Sequence, residues 1–210
     1  MPKVFIIDGN YQYLDMFFNH GWEAAESLAD ADLVQFTGGA DVSPMLYGER
    51  CHPQTHYLDS RDAVEARAYS AAFKLGIPMA GICRGGQFLN VMCGGRMWQH
   101  VDRHAIGDTH GVVDVANGKT IQCTSTHHQM MRPSSEGVIL GVASEATFLE
   151  HMDGRDVLRH EAKRGGDVEV VLYPDYKVLC FQPHPEYLSA HSDCQKWYFK
   201  LIKENLVCAD

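Results

Sequence analysis

Long apolar runs are missing from this sequence: no stretch approaches the ~18 consecutive apolar residues that a membrane-spanning helix needs. There is no Lys/Arg block either, and 18 basic residues against 27 acidic ones leave a formal charge of −9. Nucleic-acid surfaces depend on clustered positive charge, so neither nucleic acid nor a membrane is expected as a partner. The seven cysteines are odd in number and scattered, which excludes a disulfide framework and fits a reducing, cytoplasmic setting. Paired metal-ligand spacing is absent as well. Cys51, His52, His56, His100, His104 and His110 do not form the short-spaced pairs of a structural zinc site, so no metal and no cofactor is expected. The opening MPKVFIIDGN has too short an apolar run for a signal peptide and reads as a first strand. No repeat or low-complexity tract is present.

What is there fits a single domain spanning 1–210 with a sizeable core. Residues 4–7, 33–36 and 77–82 are short apolar runs that end at turn residues, as expected of strands buried on both faces. Helical patterns cover 11–18, 62–75, 87–93 and 192–206. Asp59 or Ser60 caps the second of these and Gly76 ends it. Trp197, Tyr198, Leu201 and Ile202 are the inward residues of the last. Strand candidates then cluster at 112–115, 120–124, 138–142, 168–173 and 178–181, with a hairpin turn at Asn117-Gly118. Residues 155–167 are polar and glycine-bearing and read as an exposed loop. Helices alternating with strands, followed by strands alone, predict an α/β fold with a mainly parallel sheet and an antiparallel extension.

The stretch GICRGGQ, residues 81–87, sets Cys83 between Gly81 and Gly85 at the end of a strand and the start of a helix. A sharp strand-to-helix corner forces strained backbone angles on its central residue, and neighbours there must lack a Cβ. The spacing is that of a nucleophile elbow. It lifts the thiol above the sheet edge to a helix N-terminus, where the macrodipole favours an anion, and it aims the Arg84 N–H at a developing oxyanion. A cysteine nucleophile needs a base, and the base an orienting group. CFQPHPEYL, residues 180–188, supplies both: His184 follows a strand, and Glu186 lies two residues on, on the same side of an extended or turn segment. Pro183 and Pro185 stiffen that segment. Ser125, His127 and Gln129 alternate along an extended run and share a face, which suits a polar pocket wall.

At these residues the chain resembles the class I glutamine amidotransferase superfamily, and within it the γ-glutamyl-hydrolase-like branch that includes the γ-glutamyl-γ-aminobutyrate hydrolases. The blocks that carry the likeness are TGGADVSPMLYGE (37–49), residues 61–101 around the elbow, STHHQ (125–129) and HPE (184–186). The resemblance implies a three-layer, flavodoxin-like sandwich with Cys83 at the crest of the sheet and a Cys83–His184–Glu186 triad. It also implies an oxyanion hole shared by Arg84 and a backbone N–H at Gly38 or Gly39. Gln87 becomes a contact to the glutamyl group, while Tyr47 and Asp41 shape the glycine-rich loop. Pro183 stands where the family usually carries an aromatic residue, and the chain is shorter than typical members; both departures bear on substrate.

The expected activity is hydrolysis of a small-molecule γ-glutamyl amide, such as γ-glutamyl-GABA or a γ-glutamyl polyamine, through a γ-glutamyl thioester. Two alternatives stay open: a glutaminase subunit that delivers ammonia to a separate synthetase, and a non-catalytic regulatory relative. Assembly as a homodimer stays open too.

Overall fold

Short runs of β-branched and aromatic residues form the centre of the molecule. In the computed structural model, which describes residues 1–163 and 165–207, the chain opens with β1 (Lys3–Ile7), α1 (Tyr11–Asn19), β2 (Glu23–Ala24) and β3 (Leu33–Phe36). It continues through α2 (Asp59–Leu75), β4 (Met79–Ile82) and α3 (Arg84–Met92). Then come β5 (Arg96–Trp98), β6 (His100–Val101), β7 (Ala105–Asp114), β8 (Thr120–Thr126), β9 (Met130–Arg132) and β10 (Val138–Ala143). The chain closes with β11 (Phe148–Asp153), β12 (Asp156–Glu161), β13 (Val168–Tyr173), β14 (Val178–Phe181) and α4 (Asp193–Asn205).

Nine strands make one sheet in the order β2-β1-β3-β4-β14-β13-β10-β7-β8. The first five run parallel, and from β14 onward each neighbour is antiparallel. In β14 the side chains alternate strictly: Leu179 and Phe181 join the core beneath α1 and α4, while Val178 and Cys180 join the core beneath α2 and α3. The result is three layers, a mixed α/β sandwich. β3, β4 and β14 are buried at every residue, as apolar runs covered by helices on both faces must be. No helix among the described residues is long and apolar enough to cross a membrane.

Several expectations are corrected. α2 begins at Asp59, after Leu58, with no side-chain cap, so Asp59 and Ser60 lie inside its first turn. Its buried face holds Asp62 and Glu65 beside Ala72, and Val64 and Leu75 are exposed, because this helix serves a buried arginine as well as the core. α3 begins at Arg84, three residues earlier than the apolar pattern implies. The expected loop at 155–167 contains β12, which pairs with β11 in a six-residue register; residue 164 of that loop lies outside the described residues. Every residue of β12 is exposed, so it lacks the hydrophobic alternation that marks a strand.

Candidate active site

Cys83 sits one residue beyond β4, and its φ of 50° and ψ of −115° are strained for a residue with a Cβ. The flanking glycines permit the corner. A Cβ on Gly81 would strike the Gly85 backbone, and one on Gly85 would lie 2.5 Å from the Phe36 carbonyl carbon and oxygen. Cys83 then acts as the N-terminal cap residue of α3, and its own N–H donates to Phe181 O across the β4–β14 boundary at 2.8 Å.

That parallel pairing brings the second motif to the first. Ile82 lies opposite Phe181, so the residues that follow both strands emerge at the same carboxyl edge of the sheet, the usual place for a ligand in an open α/β sheet. His184 is anchored there by its N–H to Thr124 Oγ1 at 2.6 Å, and its ring stacks on Tyr187 with centroids 4.6 Å apart. Its Nδ1 lies 2.6 Å from Glu186 Oε1, and the carboxylate is fully buried. Burial works against protonation of this imidazole, but the adjacent Cys83 sulfur and the Glu186 carboxylate outweigh it and take the pKa up to about 11.

β3 delivers the third component at the same edge. Gly38 donates its N–H to Tyr13 Oη at 2.9 Å, which leaves Gly39 as the member of the pair whose N–H has no partner among the described residues. Neither glycine has room for a side chain. A Cβ on Gly38 would lie 2.6 Å from His184 Cε1, and one on Gly39, where φ is 146°, would collide with the Arg61 guanidinium. Arg61 Nη2 holds this loop by donating to Thr37 O at 3.1 Å and Gly38 O at 2.8 Å. The first backbone N–H groups of α3, starting at Arg84, have no intrahelical acceptor. The Arg84 side chain runs the other way, into the interior. It pairs with Asp62 and Glu65 of α2 and donates to Ala40 O at 3.0 Å. Burial lowers its pKa to about 10.

A cavity of about 220 Å³ opens on this edge, lined by Gly39, Cys83, Gln87, His127, Gln129 and the Asp41–His128 pair. The expected residues sort unevenly around it. Gln87 lines it, with Nε2 donating to Gln182 Oε1 at 3.2 Å and to Gln129 O at 3.3 Å. Gln129 lines it while donating to Thr55 Oγ1 at 3.0 Å and Gln99 O at 3.1 Å. Ser125 does not reach the cavity. It is fully buried on β8, and its hydroxyl is engaged with His104 O at 2.9 Å and His110 Nδ1 at 3.0 Å. The shared face expected of 125, 127 and 129 fails because β8 ends at Thr126 and the chain turns.

Asp41 and His128 are among the cavity residues absent from the expected contacts. Asp41 lines the wall as well as shaping its loop. His128, skipped by the alternation argument, places Nε2 3.1 Å from Asp41 Oδ1. The Asp41 carboxylate raises the His128 pKa. His104, His110 and Glu169, which lie together in the antiparallel half, are the described residues grouped closely enough to hold a metal ion.

Comparison with known proteins fits this geometry. The sequence profile of the family described as Peptidase C26 matches residues 17–186. A glutamine amidotransferase-like protein of Lactococcus lactis subsp. lactis, YvdE, is 32% identical over 166 residues, covering 76% of this chain and 67% of that protein. The carbamoyl phosphate synthase small chain of Thermotoga maritima is 29% identical over 147 residues, 61% of this chain and 37% of that one. The chain therefore spans between two thirds and little more than one third of these relatives' lengths. The crystal structure of a glutamine amidotransferase from Thermotoga maritima superposes with a TM-score of 0.61 at 15% identity, over 99% of this chain and 86% of that one, which establishes the shared fold. The chain belongs to the Peptidase C26 family, within the class I glutamine amidotransferase-like superfamily of hydrolases and amidotransferases.

Proposed function

We propose that this protein hydrolyses γ-glutamyl amides with a small amine leaving group, through a covalent thioester on Cys83. The observation that carries the reading is the strained Cys83 corner beside a buried imidazole that Glu186 holds at 2.6 Å. The high pKa of His184 favours the imidazolium, which is the partner a nucleophilic thiolate needs.

Cys83 Sγ attacks the δ-carbonyl carbon, and the oxygen takes the electron pair facing the N–H groups of Gly39 and Arg84. Two preorganised donors of this kind are worth about 3 kcal/mol each in the transition state. The imidazolium of His184 gives its proton to the departing amine nitrogen as the C–N bond breaks, leaving the thioester. His184, now neutral, takes a proton from water; the hydroxide adds to the thioester carbon, and the sulfur leaves as thiolate. Glu186 keeps Nδ1 protonated and Nε2 turned to the reaction. The glutamyl end carries an ammonium and a carboxylate, and the Asp41–His128 pair offers one group of each sign at the cavity wall. Gln87 and Gln129 close the polar side.

The similarity to a carbamoyl phosphate synthase small chain favours a second reading, a glutaminase subunit that passes ammonia to a separate synthetase. Incubation with glutamine and with a panel of γ-glutamyl amines, followed by intact-mass spectrometry, separates them. The first reading expects a γ-glutamyl adduct on Cys83 and release of the amine by the protein alone. Turnover of glutamine only when a synthetase is added would replace it with the second.

A further inference from the structure

Behind the cavity, in the antiparallel half of the sheet, three imidazoles converge on one carboxylate oxygen. His104 Nδ1 lies 3.3 Å from Glu169 Oε1, and His110 Nε2 and His127 Nε2 each lie 3.4 Å from it. These separations exceed the usual hydrogen-bond range, and none of the four atoms has a hydrogen-bond partner among the described residues. Glu169, His104 and His127 are all more than nine-tenths buried. A cluster of bare donor and acceptor atoms in the interior is costly unless something occupies its centre. Ligands at the 2.0–2.1 Å bond length of a tetrahedral zinc site stand about 3.3 Å apart, and the ligand atoms of His104, His110 and Glu169 all lie within 4.8 Å of one another, with both nitrogens 3.3–3.4 Å from Oε1. We propose that His104 Nδ1, His110 Nε2 and Glu169 Oε1 bind a single divalent transition-metal ion, zinc before others, in a three-ligand site that leaves the fourth position to water.

Two features beyond the spacing support this. The first is the protonation pattern set by the surrounding groups. Ser125 has one hydroxyl proton and donates it to His104 O, so toward His110 Nδ1 it is the acceptor; His110 then carries its proton on Nδ1 and leaves Nε2 bare. On the other side, His104 Nε2 faces Asp167 Oδ2 at 3.1 Å. That oxygen also receives the Thr147 N–H and hydroxyl, so Nε2 carries the proton and Nδ1 is bare. Both arrangements are the outer-shell contacts that hold a ligating histidine in the correct tautomer. The second feature is the backbone. The register between β10 and β13 steps from Gly141 opposite Val170 to Val142 opposite Val168, so Glu169 is the unpaired residue of a bulge, a device that re-aims a side chain.

Such an ion ties the segment before β7, β7 itself and β13 into one unit, and His127, with Nε2 3.4 Å from Glu169 Oε1, stands between that unit and the Cys83 cavity, whose wall it lines. Elemental analysis of the purified full chain, followed by chelator treatment and titration with zinc and then cobalt(II), tests the proposal without reference to turnover. The expected result is one zinc per chain and a cobalt spectrum of four-coordinate nitrogen and oxygen ligation with no thiolate band. Glu169→Gln and His110→Ala should abolish binding, Asp167→Asn should weaken it roughly 10- to 100-fold, and Cys83→Ser should leave it intact. Zinc well below one equivalent after incubation, an octahedral cobalt spectrum, or retention by Glu169→Gln would each overturn the site. A thiolate band lost in Cys83→Ser would place the ion on the cysteine instead, which also overturns it. Where a variant does not fold, the cobalt spectrum of the unaltered chain decides.

Discussion

The parallel and antiparallel halves of the nine-stranded sheet place their polar groups by different means. In the parallel half, the groups of the candidate site follow strand ends: Thr37 to Gly39 after β3, Cys83 after β4 and His184 after β14. Each is fixed by its own few neighbours, with glycines where backbones meet and prolines where the chain must be stiff. In the antiparallel half, His104, His110, His127 and Glu169 come from four separate places in the chain and meet only through strand register and a bulge. A corner encoded by consecutive residues can be recognised by eye. A cluster encoded by lateral register has no motif.

The largest expected effect is on turnover. Cys83→Ala should lower it at least ~10⁴-fold against any γ-glutamyl amide that the unaltered protein cleaves, while thermal unfolding stays cooperative. A residual rate near the starting one would remove the parallel half's claim to the chemistry. Next comes the buried support beneath it. Glu65→Gln removes one of the two carboxylates that pair with the buried Arg84 and leaves Asp62 as the other, and denaturant unfolding should show a loss of about 3 kcal/mol. Glycine replacements compare the halves directly. Gly85→Ala meets immovable Phe36 backbone and should cost about 3 kcal/mol, whereas Gly111→Ala meets the Ser144 and Thr120 side chains at 2.7 and 2.8 Å, which can give, and should cost about 1 kcal/mol. Equal losses would erase the distinction.

A smaller effect lies in pH. The folded pKa of His184 is raised, so its contribution to stability is complete below its unfolded value near 6.5 and is lost as pH rises through about 11. The melting temperature of the unaltered protein should therefore fall across that window by several degrees more than that of His184→Ala. In Cys83→Ala, which lacks the first of the two groups raising the imidazole, the fall should begin at the same pH but be smaller and end at lower pH. The least effect is expected at the exposed Lys119–Asp193 pair, 2.9 Å apart on the surface. Lys119→Ala should leave the melting temperature unchanged within error, since such pairs are screened by water and salt.

Much of the parallel half was legible in advance because its constraints are local. GICRG announces a corner that only a Cβ-free neighbour tolerates, and HPE places an acid beside a base over two residues. The misreadings are all cases where a distant partner overrides the local pattern. α2 turns Asp62 and Glu65 inward because Arg84, 22 and 19 positions away in sequence, comes in to meet them. β12 pairs as a strand with no buried face. Ser125 leaves the cavity wall to bond His104 and His110. His128 joins that wall because the chain turns after β8, which period-two counting cannot register. Spacing along the chain offers no zinc motif, whereas the histidine cluster around Glu169 is assembled across the sheet.

Residue order alone settled the α/β alternation, the elbow at Cys83 and the His184–Glu186 pairing, because each rests on sterics or reach within a handful of bonds. Tertiary structure decided that β4 and β14 are neighbours, which sets sulfur and imidazole on one edge. It also chose Gly39 over Gly38 as the free donor and gathered His104, His110, His127 and Glu169 around one point. Those outcomes depend on strand order and register, and these are fixed by burying two apolar cores at once, a condition imposed by the whole chain and by no short segment of it.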